Sequence, residues 1–250
     1  KKDLITFIVI FSSVLLLAFL IITFFSFQTI DDDKVGEVLQ TTQSSFEGVI
    51  EYYSILLNTD ELYESAIVGE NESEELDFIL YTSSNETDIA QELMLFDLTG
   101  TIMYSSFFVQ ETNLYLNAFN ELLIVRMSES NEIQKVNYFL FPDTHYYMIG
   151  KKIFNEEEEI GYAIYYIDSN SLSDKIFSSQ FDSVITDEYN NIIANSNARL
   201  IDNYDFVPKD NMTYQYEEST YDVTLSRLES ENLNFYVVVA SRDNFSFYTQ

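Results

Sequence analysis

The side chains best suited to hold a small molecule are three tyrosines and one arginine. Tyr104, Tyr146 and Tyr147 fall in segments with strand periodicity, where each offers a flat apolar face and a hydroxyl. Arg126 is the one arginine near them, and its planar guanidinium can clamp a carboxylate with two parallel hydrogen bonds. A ligand pocket needs an apolar wall and a few oriented polar groups, and these residues supply both. Each has a plainer role open to it: sheet packing for the tyrosines, a surface ion pair for Arg126. Lys151 and Lys152 are adjacent on one strand, so alternation lets at most one face inward.

Catalytic chemistry has little to work with. The chain has no cysteine and one histidine, His145, set after the turn-like Pro142-Asp143-Thr144 and read as a loop residue. That removes thiolate nucleophiles, thiolate zinc sites and paired-histidine metal sites together. No phosphate-cradling glycine loop occurs among only six glycines. Glu156 to Glu159 form a run of four carboxylates that reads as a solvated turn, with cation binding as the alternative. No enzyme activity, cofactor or metal is expected within these residues. With 42 acidic against 12 basic side chains the net charge is −30, which repels nucleic acid.

The elements that position these residues begin with an apolar run. Leu4 to Ile30 contains no charge, and 18 residues between Leu4 and Phe27 are Leu, Ile, Val or Phe. At 1.5 Å rise per residue such a run crosses a hydrocarbon core of about 30 Å. Lys1 and Lys2 before it and Asp31 to Asp33 after it place residues 1–3 in the cytoplasm and the rest outside. The run is too long for a cleaved signal and lacks a small-residue cleavage site. Residues 4–30 are therefore expected to be a transmembrane anchor.

A stalk helix is expected over 31–68, ending near Gly69. Val35, Thr42, Val49 and Leu56 recur every seven residues, with Leu39, Phe46 and Tyr53 four positions on. This seam suits pairing with a second copy, or packing on the chain's own domain. Beyond it the period becomes two. Leu93 to Ser105 reads as a hairpin turning at Thr99-Gly100, followed by a helix over 113–128 and strands over 138–141, 146–154 and 160–167. A linking helix over 171–179 precedes a second unit with a hairpin, 182–187 and 191–196, and strands over 213–217, 222–228 and 234–240. The class is α+β: two antiparallel modules, 69–168 and 169–246, hung on one long helix.

This order resembles the double-Cache family of extracytoplasmic sensors. The likeness is carried by Phe96-Asp97-Leu98-Thr99-Gly100-Thr101-Ile102 opening the first module and Ile160-Gly161-Tyr162-Ala163-Ile164-Tyr165-Tyr166-Ile167-Asp168 closing it. Val184-Ile185-Thr186-Asp187 and Asn190-Asn191-Ile192-Ile193-Ala194-Asn195-Ser196 echo the pattern in the second. The resemblance implies a PAS-like sheet in each module and a small ligand bound in the membrane-distal one, 69–168. The seam points to a homodimer, and the resemblance implies a second membrane span for which 247–250 is the lead-in. An output region would follow: a histidine kinase, chemoreceptor, cyclic-dinucleotide enzyme or transcription regulator. The competing reading is an anchored surface-binding or adhesion protein without output. In the family's amino-acid-binding branch an Asp ends the last distal strand, and Asp168 stands there, as ligand group or as cap of the following helix. That branch also carries Arg before Trp-Tyr, whereas Met127-Ser128 follow Arg126 and tryptophan is absent. An amino-acid ligand is not assigned.

Overall fold

The computed structural model describes residues 11–19, 32–69, 73–107, 114–140, 144–177, 182–187, 189, 191–196, 212–216, 219–228 and 233–240. Helix α1 (Asp32–Leu57) has 26 residues and runs about 39 Å. Its inward row is Val38, Thr42, Phe46, Val49, Tyr53 and Leu57, all buried. This row holds most of the heptad seam, so the periodicity that suggested a dimer stripe instead marks the face on the chain's own sheets. Phe46 and Tyr53 are 0 % exposed, and Leu39 is packed against the same core. The surface of Phe46 and Tyr53 is thus spent on the chain's own core, while Leu39 is only partly buried.

The expected single helix over 31–68 is two. Asn58, Thr59 and Asp60 favour local turns over helix continuation. Here Asn58 N–H donates to Ser54 O and Thr59 N–H to Leu56 O, both at 3.0 Å. Helix α2 (Glu61–Val68) follows and stops at Gly69, whose φ of +90° is the left-handed cap that glycine adopts at least cost. Helix α3 (Ser73–Thr87) has no counterpart in the sequence reading. Its inward positions Leu76, Ser83 and Thr87 are mostly small and hydroxylic, which weakens the apolar period.

Strands β1 (Gln91–Asp97), β2 (Ile102–Ser105), β3 (Gln134–Leu140), β4 (Thr144–Asn155) and β5 (Glu158–Asp168) form an antiparallel sheet in the order β2-β1-β5-β4-β3. Helix α4 (Leu114–Glu129) lies between β2 and β3 in sequence. His145 is the second residue of β4, not part of a loop. The central β5 is buried continuously from Gly161 to Ile167, because helices cover both faces. Alternation sends Ala163, Tyr165 and Ile167 toward α1 and α2, and Tyr162, Ile164 and Tyr166 toward α4.

Helix α5 (Ser169–Ile176) leads to β6 (Asp182–Thr186), β7 (Ile192–Asn195), β8 (Met212–Tyr216), β9 (Ser219–Leu228) and β10 (Leu233–Ala240). Their order, β7-β6-β10-β9-β8, repeats the first sheet. The repetition extends to single hydrogen bonds. In the first hairpin Asp97 Oδ1 accepts from the N–H groups of Thr99 and Thr101 at 2.8 Å, and Leu93 N–H donates to Ser106 Oγ at 2.8 Å. Ninety positions later Asp187 Oδ1 accepts from Tyr189 and Asn191, and Ser183 N–H donates to Ser196 Oγ at 2.6 Å. The hydrogen bonds from Thr99 and Thr101 hold the Asp97 carboxyl below its ordinary pKa. One apolar core joins α1, the first sheet, Leu172 and Ile176 of α5, and Ile185, Ile193 and Ala194 of the second sheet.

Of the expected transmembrane segment 4–30, residues 11–19 are helical and exposed throughout, with Leu16 at 65 % and Phe19 at 67 %. The remainder lies outside the described residues, as do 1–3 and 247–250. Among the described residues no helix is long and apolar enough to cross a membrane.

Candidate ligand-binding site

The five expected site residues do not all come together. Tyr104 and Tyr147 belong to the face toward α1 to α3, where Tyr147 packs on Phe46 at a centroid distance of 5.8 Å. Tyr104 donates to Asp77 Oδ1 of α3 at 2.6 Å, and burial followed by that carboxylate raises its pKa. Arg126 is exposed on α4 and donates to the Lys135 carbonyl at 3.4 Å. Asp168 caps α5, its Oδ1 accepting from Ser171 N–H at 2.8 Å. Tyr146 stands on the face toward α4, with Asp168 its direct partner across β4 and β5. Register explains the separation: Tyr146 and Tyr147 are neighbours on β4 and so point to opposite sides.

The face toward α4 carries a cluster of aromatic rings with a buried amide. Tyr146, Tyr166 and Phe107 form three near-perpendicular ring pairs, at 80°, 84° and 86°, with centroids 4.9 to 6.1 Å apart. Beside them Tyr166 donates its hydroxyl proton to Asn120 Oδ1 at 2.6 Å. Asn120 is 3 % exposed, and its Nδ2 meets only Met94 Sδ, at 3.7 Å. Burial pushes the Tyr166 hydroxyl well above its ordinary pKa, so it is a neutral donor and acceptor. Met94, Leu116, Leu123, Met127 and Met148 complete an apolar wall. Aromatic corner, apolar wall and one buried amide make up the ingredients of a small-molecule site.

Sequence reasoning passed over Asn120, Tyr166 and Phe107. A signal existed for Asn120: Leu116, Leu123 and Met127 fall on one helical stripe, and Asn120 is the amide in its middle. Lysine placement follows the expected alternation. Lys152 faces α4, buried, with its Nζ donating to Glu159 Oε1 at 2.7 Å and to Ser128 O at 3.3 Å. Lys151 turns the other way, to Asp60 at 3.4 Å. Glu156 to Glu159 are exposed, and among the described residues no acidic or histidine cluster of metal-binding geometry occurs.

No family model matches the chain, and no curated protein matches it by sequence. Solved structures do match. The ligand-binding domain of the Campylobacter jejuni chemoreceptor Tlp3, in complex with L-valine, superposes with a TM-score of 0.57 at 16% identity, over 82% of this chain and 90% of that one. The sensor domain of the V. cholerae histidine kinase DctB gives 0.53 at 15% identity, over 84% and 96%. A sensory box/GGDEF family domain from Vibrio parahaemolyticus gives 0.55 at 13% identity, over 83% and 94%. The chain thus has the two-sheet fold of sensory domains, and the double-Cache resemblance holds at the level of fold.

Proposed function

We propose that this chain is the extracytoplasmic sensing region of a membrane receptor. It binds a small molecule in the module 69–168 and relays occupancy along α1 to a cytoplasmic output. One observation carries the reading: both five-stranded sheets, ranged along one long helix, correspond to nearly the whole length of known sensory domains. The ligand's place is the face toward α4, where Asn120, Tyr146 and Tyr166 adjoin an apolar wall. Residues 4–30 anchor the chain with 31–250 outside, and the exposed apolar helix at 11–19 favours lipid contact. The neighbours come from receptors with different outputs, so the fold selects none of them.

Pairing of two copies, if along α1, uses its outward row. Glu37, Thr41, Ser44, Gly48, Glu51 and Ile55 are exposed and alternate in steps of four and three. For α1 to relay a signal, ligand must favour one of two packings, with coupling typically about 1–3 kcal/mol.

The test is a chimera. Residues 1–250 are joined to the second span and cytoplasmic portion of a receptor with a measurable output, and that output is read against a panel of small metabolites. Output that changes with one compound, and loses that response in Asn120→Leu, supports the reading. Constant output from a folded, membrane-inserted chimera with the full panel favours a passive anchored protein instead.

A further inference from the structure

We infer that the cleft between α1 and α5 is the surface on which a second copy of this chain docks, with Glu51 of that copy entering the cleft and pairing with Lys175. The inference rests on the proposed membrane anchoring, which sets two chains side by side with their α1 helices parallel, and it specifies how they meet.

The cleft has the form that a helical partner needs. It measures about 250 Å³ and is lined by Ser45, Gly48, Val49 and Tyr52 of α1, Thr87 at the end of α3 and Lys175 of α5. Positions 45, 48, 49 and 52 are i, i+3, i+4 and i+7, the four residues that form a hole for one side chain of a facing helix. Gly48 keeps that hole open, since nothing lies within 4 Å of where its Cβ would stand. The Tyr52 ring is a held wall, its hydroxyl donating to Glu86 Oε2 at 2.9 Å.

Charge selects what enters. Lys175 and Glu51 are both exposed, and among the described residues neither side chain makes a hydrogen bond or ion pair within the chain. Lys151 and Lys152, by contrast, are held by Asp60 and Glu159. With a net charge of −30 per chain, an unpaired ammonium attracts a second copy where most of the surface repels it. Asp174 precedes Lys175 but stands about 100° round α5 from it. Glu86 at the rim is engaged by Tyr52. Screening confines the remaining repulsion to about 8 Å at physiological salt, so pairs in contact carry the balance.

Helix geometry puts the two charges where a twofold axis needs them. At about 100° per residue, Ser45 lies about 60° to one side of Gly48 and Glu51 about 60° to the other. Two parallel copies facing each other along Gly48 therefore set the cleft of one against the Glu51 flank of the other, and the axis repeats the contact. Helical side chains lean toward the N-terminus, so Glu51 covers the level of Gly48. Its methylenes lie against Tyr52 and its carboxylate reaches Lys175.

Charge reversal tests this on the full chain in liposomes, with energy transfer between labelled copies reporting pairing. Lys175→Glu and Glu51→Lys, each alone, are expected to raise the surface density needed for half-pairing at least about tenfold, because each sets like charges across both contacts. Mixed one to one, the two variants should recover pairing, since every contact between unlike copies regains opposite charges. Thermal midpoints, expected to stay unchanged because both positions are exposed, show that the variants fold. Pairing that neither reversal weakens overturns the inference. A mixture that pairs no better than its components overturns it too, as does a parent chain that does not pair. Each of those results leaves the sensing role to the chimera, whose response to its panel of metabolites is read separately.

Discussion

Tyr63 and Tyr165 meet hydroxyl to hydroxyl, 3.1 Å apart in the buried core, across 102 positions of chain. Tyr63 also lies 3.0 Å from the Leu56 carbonyl, which can only accept. The Tyr63 proton therefore goes to Leu56, and Tyr165 donates to Tyr63. A single chain of hydrogen bonds thus ties the end of α1, the first turn of α2 and the central strand of the first sheet.

The direction of that chain orders two substitutions. Tyr63→Phe leaves the Tyr165 hydroxyl buried without an acceptor and should cost about 1–3 kcal/mol. Tyr165→Phe keeps the Tyr63 to Leu56 bond and should cost about 1 kcal/mol or less. Urea unfolding of both variants and the double mutant checks this. Equal costs for the two single variants would mean the donors run the other way.

Alkali should unfold the protein through the same residues. Burial pushes Tyr165 to about 12 from the ordinary 10.0, and burial followed by Glu86 pushes Tyr52 to about 12. The folded state then keeps protons that the unfolded state releases above pH 10. Stability from these groups is complete below pH 10 and falls as pH rises toward 12. Unfolding midpoints between pH 8 and about 12, followed with tyrosinate absorbance, should drop in step with ionisation. Tyrosinate that forms freely at pH 10 without loss of structure would contradict the burial argument.

Two glycines should respond oppositely to alanine. A Cβ on Gly161 would collide with the Phe96 carbonyl oxygen and stand 3.0 Å from Ile67 Cγ2, so strand β5 would have to move away from β1. Gly161→Ala should cost more than about 2 kcal/mol, as overpacking does. Gly48, inside α1, has nothing within 4 Å of that position. Gly48→Ala should stabilise by about 1 kcal/mol through helix propensity. Thermal midpoints of the two variants give the answer directly.

How much of this was legible beforehand varied with the physics involved. The hairpin at Thr99-Gly100 was readable because Gly100 takes a φ of +82° that few residues tolerate. The end of α2 at Gly69 was readable for the same reason. The strands of both sheets stood out through alternation, although β3 begins at Gln134, four residues before the apolar run that marked it. A heptad seam has one period whether it meets a second copy or the chain's own sheet, and burial alone shows that Phe46 and Tyr53 meet the sheet. Site residues part at a parity: Tyr146 and Tyr147 look alike in sequence, and only strand register decides which faces α4.

Cysteine cross-linking separates the two faces of α1. Oxidation of Gly48→Cys should give covalent dimers if copies pair along the outward row. Phe46→Cys should give none, because that position is 0 % exposed, and should cost several kcal/mol of stability, roughly 3–5 as for large core truncations. Disulfide dimers through position 46 in a folded variant would restore the seam as an interface.

The buried lysine offers an asymmetric test. Glu159→Gln leaves the Lys152 ammonium with neutral acceptors and no opposite charge and should destabilise markedly, whereas Lys152→Met removes the cation along with its need for a partner. Chemical denaturation should rank Lys152→Met nearer to the parent. A reversed order would show the pair to be worth more than its desolvation.

Helix α5 uses two serines two residues apart, one for each module. Ser171 Oγ accepts from Ala90 N–H at the start of the first sheet, and Ser173 Oγ accepts from Asn195 N–H in the second, both at 2.9 Å. Two residues are about 200° around a helix, so the pair acts as a double-sided latch. The relative bearing of the two sheets is thereby written as a residue count. A single insertion between these serines would turn one latch by about 100° and release it. Loops at the sheet tips can lengthen freely in such a molecule; this short helix is its indexed part.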